Sequence, residues 1–407
     1  MILVLSAPVL YSLELTPDCN NRCRGCCNVF ADERSRPPLP LEGWRRILDC
    51  IKPHAHLVKL TGGEPTLHPH FEEIVAHLQG LDISFSIFTN GCWSDAERLV
   101  AFLKTVPQLR GLLISLHGAT PATHEAFSGV QGSFKRAVAN IRRAAEAGLL
   151  VTISVVIHRR NLEQFEDIVA LARDLGADHV VFNRYLAPED PTIEPSGDQL
   201  QQAVLQIETL RRSGARVKFG NCIPQCFAES SSTGCLSGVA YCTVDPWGNM
   251  RPCNHSSLLC GNLLEQSVEE AWQSPQMQRW REMIPAECHL CAEFLQCHGG
   301  CRAMAMERGL EKDPLASAPL TARRSPPKQI SLYEGLRPVG NYQIREEKFG
   351  YVLMLGNRIV PVPHEARAIL EICDGGTALK QIGAQFGQPG LDLVGALWEK
   401  GLLLLQD

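Results

Sequence analysis

Between residues 11 and 213, short apolar or β-branched runs alternate with longer amphipathic stretches. This alternation limits the fold more than any other feature of the chain. Strands are expected at 11–16, 56–61, 83–89, 111–116, 152–157 and 179–184, with helical patterns at 41–52, 71–80, 95–105, 133–147, 162–175 and 199–212 between them. Strands separated by helices of roughly 10–15 residues imply βαβ units and a parallel sheet. Six such units are fewer than a closed eight-fold barrel needs, so the expected fold is α/β, an open or partial (β/α)6 barrel over residues 1–215. In such folds chemistry gathers at the carboxyl ends of the strands.

Near residue 216 the alternation stops, cysteines become dense and helical patterns become few, as in a metal-tied, loop-rich module over 216–320. A linker is expected over 321–340, around Pro326, Pro327 and Pro338. Beyond it, strand patterns at 342–354 and 358–362 precede three short helices at 363–373, 377–386 and 391–400. These make a small α+β, winged-helix-like domain over 341–407. A length of 407 residues suits two or three domains, and 45% hydrophobic residues suit a chain able to bury a core. The net charge of −5 gives no reason to expect nucleic acid or an anionic membrane as partner. The first fifteen residues lack the marks of a signal peptide, and no apolar run reaches about 18 residues, so a cytoplasmic protein is expected.

The seventeen cysteines are the compositional anomaly. Their number is odd and most fall in two groups, at 19–27 and 222–301. In a reducing compartment such clustering points to metal ligation rather than disulfides. Directly after the first strand, Cys19, Cys23 and Cys26 follow the spacing C-x3-C-x2-C. Three thiolates on one tight loop can cap three irons of a cubane and leave the fourth iron without a protein ligand. Structural zinc is the alternative, with Cys27 as fourth donor. The second strand ends in Thr61-Gly62-Gly63-Glu64-Pro65, the third in Thr89-Asn90-Gly91 and the fourth in Ser115-Leu116-His117-Gly118. Glycines there allow close backbone approach to a ligand, and Glu64 can help hold a cationic amine.

Over residues 11–215 these features resemble the radical S-adenosylmethionine (SAM) superfamily. The resemblance implies that Cys19, Cys23 and Cys26 bind a catalytic [4Fe–4S] cluster whose open iron is chelated by S-adenosylmethionine. It also implies that Gly62, Gly63, Glu64 and Pro65 hold the methionyl amine, that Ser115 contacts ribose, and that Asn90 belongs to the same cofactor site. Reductive cleavage then releases a 5′-deoxyadenosyl radical, with a flavodoxin or ferredoxin as the expected reductant. His117 stands where Asp is usual, and is either a ligand-facing group or a satisfied core imidazole.

The second group runs Cys235-x12-Gly248-x4-Cys253, then Cys288-x2-Cys291-x5-Cys297-x3-Cys301. It resembles the auxiliary-cluster extension called the SPASM domain, whose members mostly modify peptides or proteins; a zinc ribbon is the alternative. The resemblance assigns Cys235, Cys253 and Cys301 to a nearer auxiliary [4Fe–4S] cluster, with a further ligand from Cys222, Cys226 or Cys242. Cys288, Cys291 and Cys297 go to a farther one. The usual last cysteine is missing after Asp313-Pro314. The farther cluster then takes a carboxylate such as Asp313, keeps an open iron, or is incomplete.

The C-terminal pattern around Phe349–Leu353, Ala366-x2-Ile369-Leu370-x2-Cys373-Asp374-Gly375 resembles the peptide chaperone of pyrroloquinoline quinone biosynthesis, a RiPP recognition element. That resemblance implies capture of a precursor leader as an added strand. A stability or dimerisation domain is the alternative, and Cys373 reads as a core cysteine. Together these features describe a maturase that cross-links or epimerises a ribosomally made peptide. Cys92 is a conceivable hydrogen donor and more simply a spare core cysteine. The rivals are a radical enzyme acting on a small molecule or tetrapyrrole, and a non-catalytic electron-transfer or cluster-carrier protein.

Overall fold

The structure, a computed structural model, describes residues 3–186, 190–228, 231, 234–322 and 330–407. The chain forms two compact units. One spans Ala7–Ala322; the other joins the N-terminal residues up to Ser6 to the chain beyond Ala322.

In the larger unit, strands β1 (Leu10–Glu14), β2 (Leu57–Thr61), β3 (Phe85–Thr89), β4 (Leu109–Ser115), β5 (Val151–Val156), β6 (His179–Asn183) and β7 (Val217–Phe219) lie side by side in chain order, all parallel. Helices α1 (Leu41–Ile51), α2 (Phe71–Gly80), α3 (Ala96–Leu103), α4 (Pro121–Ser128), α5 (Ser133–Glu146), α6 (Phe165–Asp174) and α7 (Gly197–Arg212) connect them. Local chemistry fixes their ends. The Asp95 side chain caps α3, Thr120 with Pro121 opens α4, and Gly129 closes α4 at φ +70°. Ser196 and Gln199 form a capping box on α7. All five residues of β1 are buried, as in a parallel strand covered on both faces.

The expected count of six strands is corrected in two places. Val217–Phe219 adds a seventh, too short at three residues to show a period of its own. On the other side of β1, β8 (Tyr241–Val244) pairs parallel to it and carries β9 (Asn249–Arg251) and β10 (Gly261–Asn262) antiparallel. The cysteine-rich region therefore extends the same sheet. Its remaining helices are α8 (Val268–Trp272), α9 (Pro275–Glu282), α10 (Phe294–Cys297) and α11 (Arg302–Glu307). Helix α4 was also unexpected.

In the smaller unit, β11 (Arg337–Gly340) pairs antiparallel with β15 (Leu403–Gln406), while β12 (Gln343–Glu347), β13 (Gly350–Leu355) and β14 (Arg358–Pro363) form a separate antiparallel sheet. The expected linker thus ends in a paired strand; its residues 323–329 lie outside the described residues. The single strand expected over 342–354 is a hairpin turning at Lys348-Phe349. Helix α12 (Arg367–Glu371) is followed by α13 (Leu379–Glu399), which is broken at Gly387, where φ is +64° just ahead of Pro389. Leu353, Leu370, Cys373, Ile382, Val394 and Leu397 fill the core, which makes Cys373 a packing residue. Ser6 joins this unit by donating its N–H and hydroxyl to the Glu347 carboxylate at 2.9 and 3.2 Å.

Helix α1 buries Trp44, Ile47, Leu48 and Ile51. Truncating Ile47 to alanine should cost about 2–5 kcal/mol through lost burial and an unfilled cavity. Denaturant midpoints of parent and variant measure this, and a loss under about 1 kcal/mol would contradict the packing described.

Candidate active site and thiol groups

The loop after β1 is held against the end of β2 chiefly by backbone, with the Asn28 amide adding a bond to Gly62 O at 3.3 Å. Gly63 and Glu64 donate their N–H groups to Thr16 O and Asp18 O at 2.8 and 2.7 Å. A Cβ on Gly62, at φ +139°, would lie 2.6 Å from Thr16 O, and one on Gly63 would lie 2.1 Å from Asp18 O. Only glycine permits both approaches. In the structure the pair brings the cysteine loop near the sheet. Farther on, Arg22 and Arg24 donate their N–H groups to Ser128 O and Phe127 O, each at 2.9 Å, so the loop also runs along the end of α4. A Cβ on Gly25 would stand 2.6 Å from the Phe127 ring, so this glycine too is sterically required.

Glu64 is the hub of the carboxyl edge. Its Oε1 accepts from the Thr66 and Thr89 hydroxyls at 2.7 Å each, and its Oε2 accepts from Asn90 N–H at 2.7 Å. Burial pushes its carboxyl above the usual range, while the bonds from Asn90, Thr66 and Thr89 act the other way. Oε2 retains acceptor capacity for a further donor. The Asn90 amide reaches Asn20 Oδ1 at 2.6 Å and Cys19 Sγ at 3.7 Å, which ties the end of β3 to the first cysteine. Ser115 closes β4 half-buried, paired with Ser154 of β5, and its hydroxyl makes no hydrogen bond among the described residues.

Cys19, Cys23 and Cys26 are close enough that charge on Cys19 and Cys26 raises the Cys23 thiol, although burial is the larger cause. Asn21 N–H points at Cys19 Sγ, 3.4 Å away. Arg34 donates to Cys19 O and Asn21 O at 3.1 and 2.6 Å, and its charge favours all three thiolates. Sequence reasoning missed Arg34, because nothing in the spacing marks it. Cys27, the fourth donor of the zinc alternative, packs with Phe127, Tyr185 and Ile193. Cys92 is buried and aims its thiol at Ser133 O, 3.8 Å away, as a core cysteine does.

His117 is a neutral structural imidazole. Its Nδ1 accepts from Val156 N–H at 3.2 Å, the His117 backbone N–H donates to His124 Nδ1 at 3.1 Å, and the His117 carbonyl accepts from the Asn161 amide at 3.0 Å. The rings of His117 and His124 stack with centroids 5.8 Å apart.

Downstream, the thiols separate into two neighbourhoods. Cys222, Cys235, Cys253 and Cys301 form the first, in which charges on Cys235 and Cys301 act on both Cys222 and Cys253. Arg302 reaches Cys235 Sγ at 3.5 Å, and His255 N–H lies 3.5 Å from Cys253 Sγ. Lys59, on β2, faces the Tyr241 and Phe88 rings at 5.2 and 5.5 Å. Burial pulls its ammonium down to about 8, with Cys253 acting the other way. Cys226, Cys288, Cys291 and Cys297 line one cavity and form the second neighbourhood. Cys242 joins neither; it is buried in β8 and its thiol neighbour is Cys260. Asp313, the carboxylate suggested as a ligand, is fully engaged. Oδ2 accepts from Arg184 at 2.7 Å and Cys301 N–H at 2.8 Å, and Oδ1 accepts from Arg184 and Leu315 N–H at 3.0 Å each.

The donor set fits iron–sulfur cofactors: soft thiols in groups, with N–H groups directed at the sulfurs. All seventeen cysteines are free. Among the described residues no three of His, Cys, Asp and Glu converge on a single ion.

Burial pushes His124 and His158 down to about 4, further lowered in His124 by His158 and in His158 by Arg160. Unfolded, each binds its proton near pH 6.5, so their stabilising effect is complete above that pH and is lost as pH falls toward 4. The loss is on the order of 3 kcal/mol per ring. Denaturant midpoints should fall between pH 7 and 5, less steeply in His124→Gln. Equal slopes would contradict this.

Comparison with known proteins agrees with this arrangement. The radical SAM superfamily model matches residues 13–172, and the SPASM iron–sulfur cluster-binding domain matches 235–298. The AdoMet-dependent heme synthase of Methanosarcina barkeri is 27% identical, over 75% of this chain and 94% of its own length. The PqqA peptide cyclase of Gluconobacter oxydans is 27% identical, over 77% and 91%. The mycofactocin maturase MftC of Mycobacterium tuberculosis is 30% identical, over 76% and 82%. In fold, SuiB of Streptococcus suis superposes with a TM-score of 0.63 at 18% identity, covering 77% of this chain and 78% of that one. The chain belongs to the radical SAM superfamily, in its SPASM branch, and is an enzyme whose cofactors are [4Fe–4S] clusters and S-adenosylmethionine.

Proposed function

We propose that the chain modifies a ribosomally made precursor peptide by radical chemistry at the carboxyl edge of its sheet. The observation that carries this is the Cys19, Cys23, Cys26 loop locked onto Gly62-Gly63 beside the Glu64 hub. Bound there, the cluster and S-adenosylmethionine supply a 5′-deoxyadenosyl radical. The three cysteines hold the cluster. Glu64 Oε2, with acceptor capacity left, and the Ser115 hydroxyl are the groups offered to the methionyl amine and the ribose. Asn90, Asn21 and Arg34 orient the loop and favour its thiolate form. Among the nearer auxiliary thiols, the Lys59 ammonium interacts with Cys253 and Arg302 donates toward Cys235 Sγ. A one-electron donor such as a flavodoxin or ferredoxin serves as partner.

Two observations support a peptide as substrate. The relatives include a PqqA peptide cyclase and the maturase MftC. The smaller unit also presents a three-stranded antiparallel sheet over its own core, whose outer strands β12 and β14 pair with no further strand among the described residues. A leader laid along such an edge gains main-chain hydrogen bonds, and its side chains give specificity. A tetrapyrrole substrate is the second reading, favoured by the heme synthase relative.

Co-expression with a short peptide encoded beside this gene should change the mass of that peptide and yield 5′-deoxyadenosine. Cys23→Ala should abolish both, while calorimetric binding of the leader to the full-length variant stays within about twofold of the parent, since leader contacts lie outside the cluster loop. Undiminished 5′-deoxyadenosine from the variant would refute the assigned cluster. A modified tetrapyrrole with an unchanged peptide would decide for the second reading.

A further inference from the structure

The farther auxiliary thiols present a deficit in the sequence: Cys288, Cys291 and Cys297 come without a fourth cysteine after Asp313-Pro314. Resting on the radical reading above, we propose that Cys226 supplies the fourth thiolate of this cluster, from the segment that leaves β7 rather than from the end of the module.

Three observations converge on it. Cys226 lines the same cavity as Cys288, Cys291 and Cys297. The stretch Ala316, Ser317, Ala318 and Pro319, where the absent cysteine is expected, lines that cavity too. Within it, Ser317 N–H donates to Cys226 Sγ at 3.3 Å, and its hydroxyl reaches Cys226 O at 3.4 Å. The backbone that would have carried the ligand is therefore in place, and the Cys226 sulfur lies against it. Three residues on, Leu320 N–H points at Cys291 Sγ, 3.4 Å away. One short segment thus directs two amides at two sulfurs of the group, and such N–H···S contacts stabilise cluster-bound thiolates.

The competing ligands are otherwise engaged. Asp313 has both oxygens filled by Arg184, Cys301 N–H and Leu315 N–H. Charges on Cys235 and Cys301 act on Cys222 ahead of that on Cys297, and Cys222 does not line the cavity that Cys226 shares with Cys288, Cys291 and Cys297, so it groups with the nearer thiols.

The consequence is functional. Four thiolates close the cluster, so no iron is left open to bind substrate, and its use is electron transfer. The bound cluster also fastens the exit of β7 to the end of the module, so loading it stabilises both.

The test uses full-length, anaerobically reconstituted protein with Cys19, Cys23 and Cys26 replaced by alanine, so that every remaining signal is auxiliary. This parent should hold about eight irons and show two reduced-cluster EPR signals. Adding Cys226→Ala should remove one signal with about four irons, or convert it to one that shifts with added cyanide, which binds an open iron. A further Ser317→Cys change, which restores a thiol at the position the chain lacks, should bring back the parent signal. Cys50→Ser, a cysteine distant from both groups in sequence, should leave both signals intact. Two unchanged signals in Cys226→Ala would overturn the proposal. So would loss of both together without rescue by Ser317→Cys, or a parent with one signal. Formation of 5′-deoxyadenosine by the wild-type enzyme, followed in parallel, fails separately if the radical reading is wrong.

Discussion

Two glycines without side chains let the end of β2 lie on the backbone of residues 16–18, and the rest of the site depends on this contact. With the loop fixed there, Glu64 enters the interior and gathers Thr66, Thr89 and Asn90, and Asn90 reaches back to Cys19. One carboxylate thus joins two strand ends and, through Asn90, the first cysteine. Such a network is strong because it is buried and its members are paired. Removing one member leaves others unsatisfied at about 1–3 kcal/mol each. The cofactor loop is consequently placed by main chain, by one buried acid and by Arg34 and Asn90, and its three cysteine side chains remain available for chemistry.

The cysteine-rich module is joined to the barrel in the same manner. Glu14 at the end of β1 forms a buried ion pair with Arg251 of β9 and accepts from Asn254 at 2.8 Å. Arg184, just after β6, holds Asp313 across 129 positions in a pair whose side chains are almost wholly buried. Breaking either pair by removing one partner would leave an uncompensated buried charge, costing about 3–5 kcal/mol. These pairs set the distance between the strand ends and the auxiliary thiols. They also explain why Asp313, attractive as a ligand in the sequence, is unavailable as one.

What the sequence revealed follows from the range of the interactions involved. The C-x3-C-x2-C loop, the Gly-Gly-Glu-Pro turn and six of the strands are written in local spacing and periodicity, and the structure forms the six strands with the loop and the turn at their carboxyl ends. The break in α13 was also legible, because Gly387 and Pro389 are local signals. Strand β7 escaped notice because three residues carry no period, and β8 because its partner β1 lies more than 200 positions earlier. Arg34, Lys59 and Arg184 act through long-range geometry that no motif records. The grouping of Cys222 apart from Cys226 was hidden for the same reason. Four positions separate them in sequence, yet they belong to different neighbourhoods.

The Gly62-Gly63 contact positions the catalytic thiols. The most direct test of this is EPR of reduced, reconstituted Gly63→Ala, in which the added methyl has no room beside Asp18 O. The predicted result is loss or marked broadening of the signal that shifts on adding S-adenosylmethionine, with the auxiliary signals preserved. An unchanged S-adenosylmethionine-responsive signal in this variant would contradict the account.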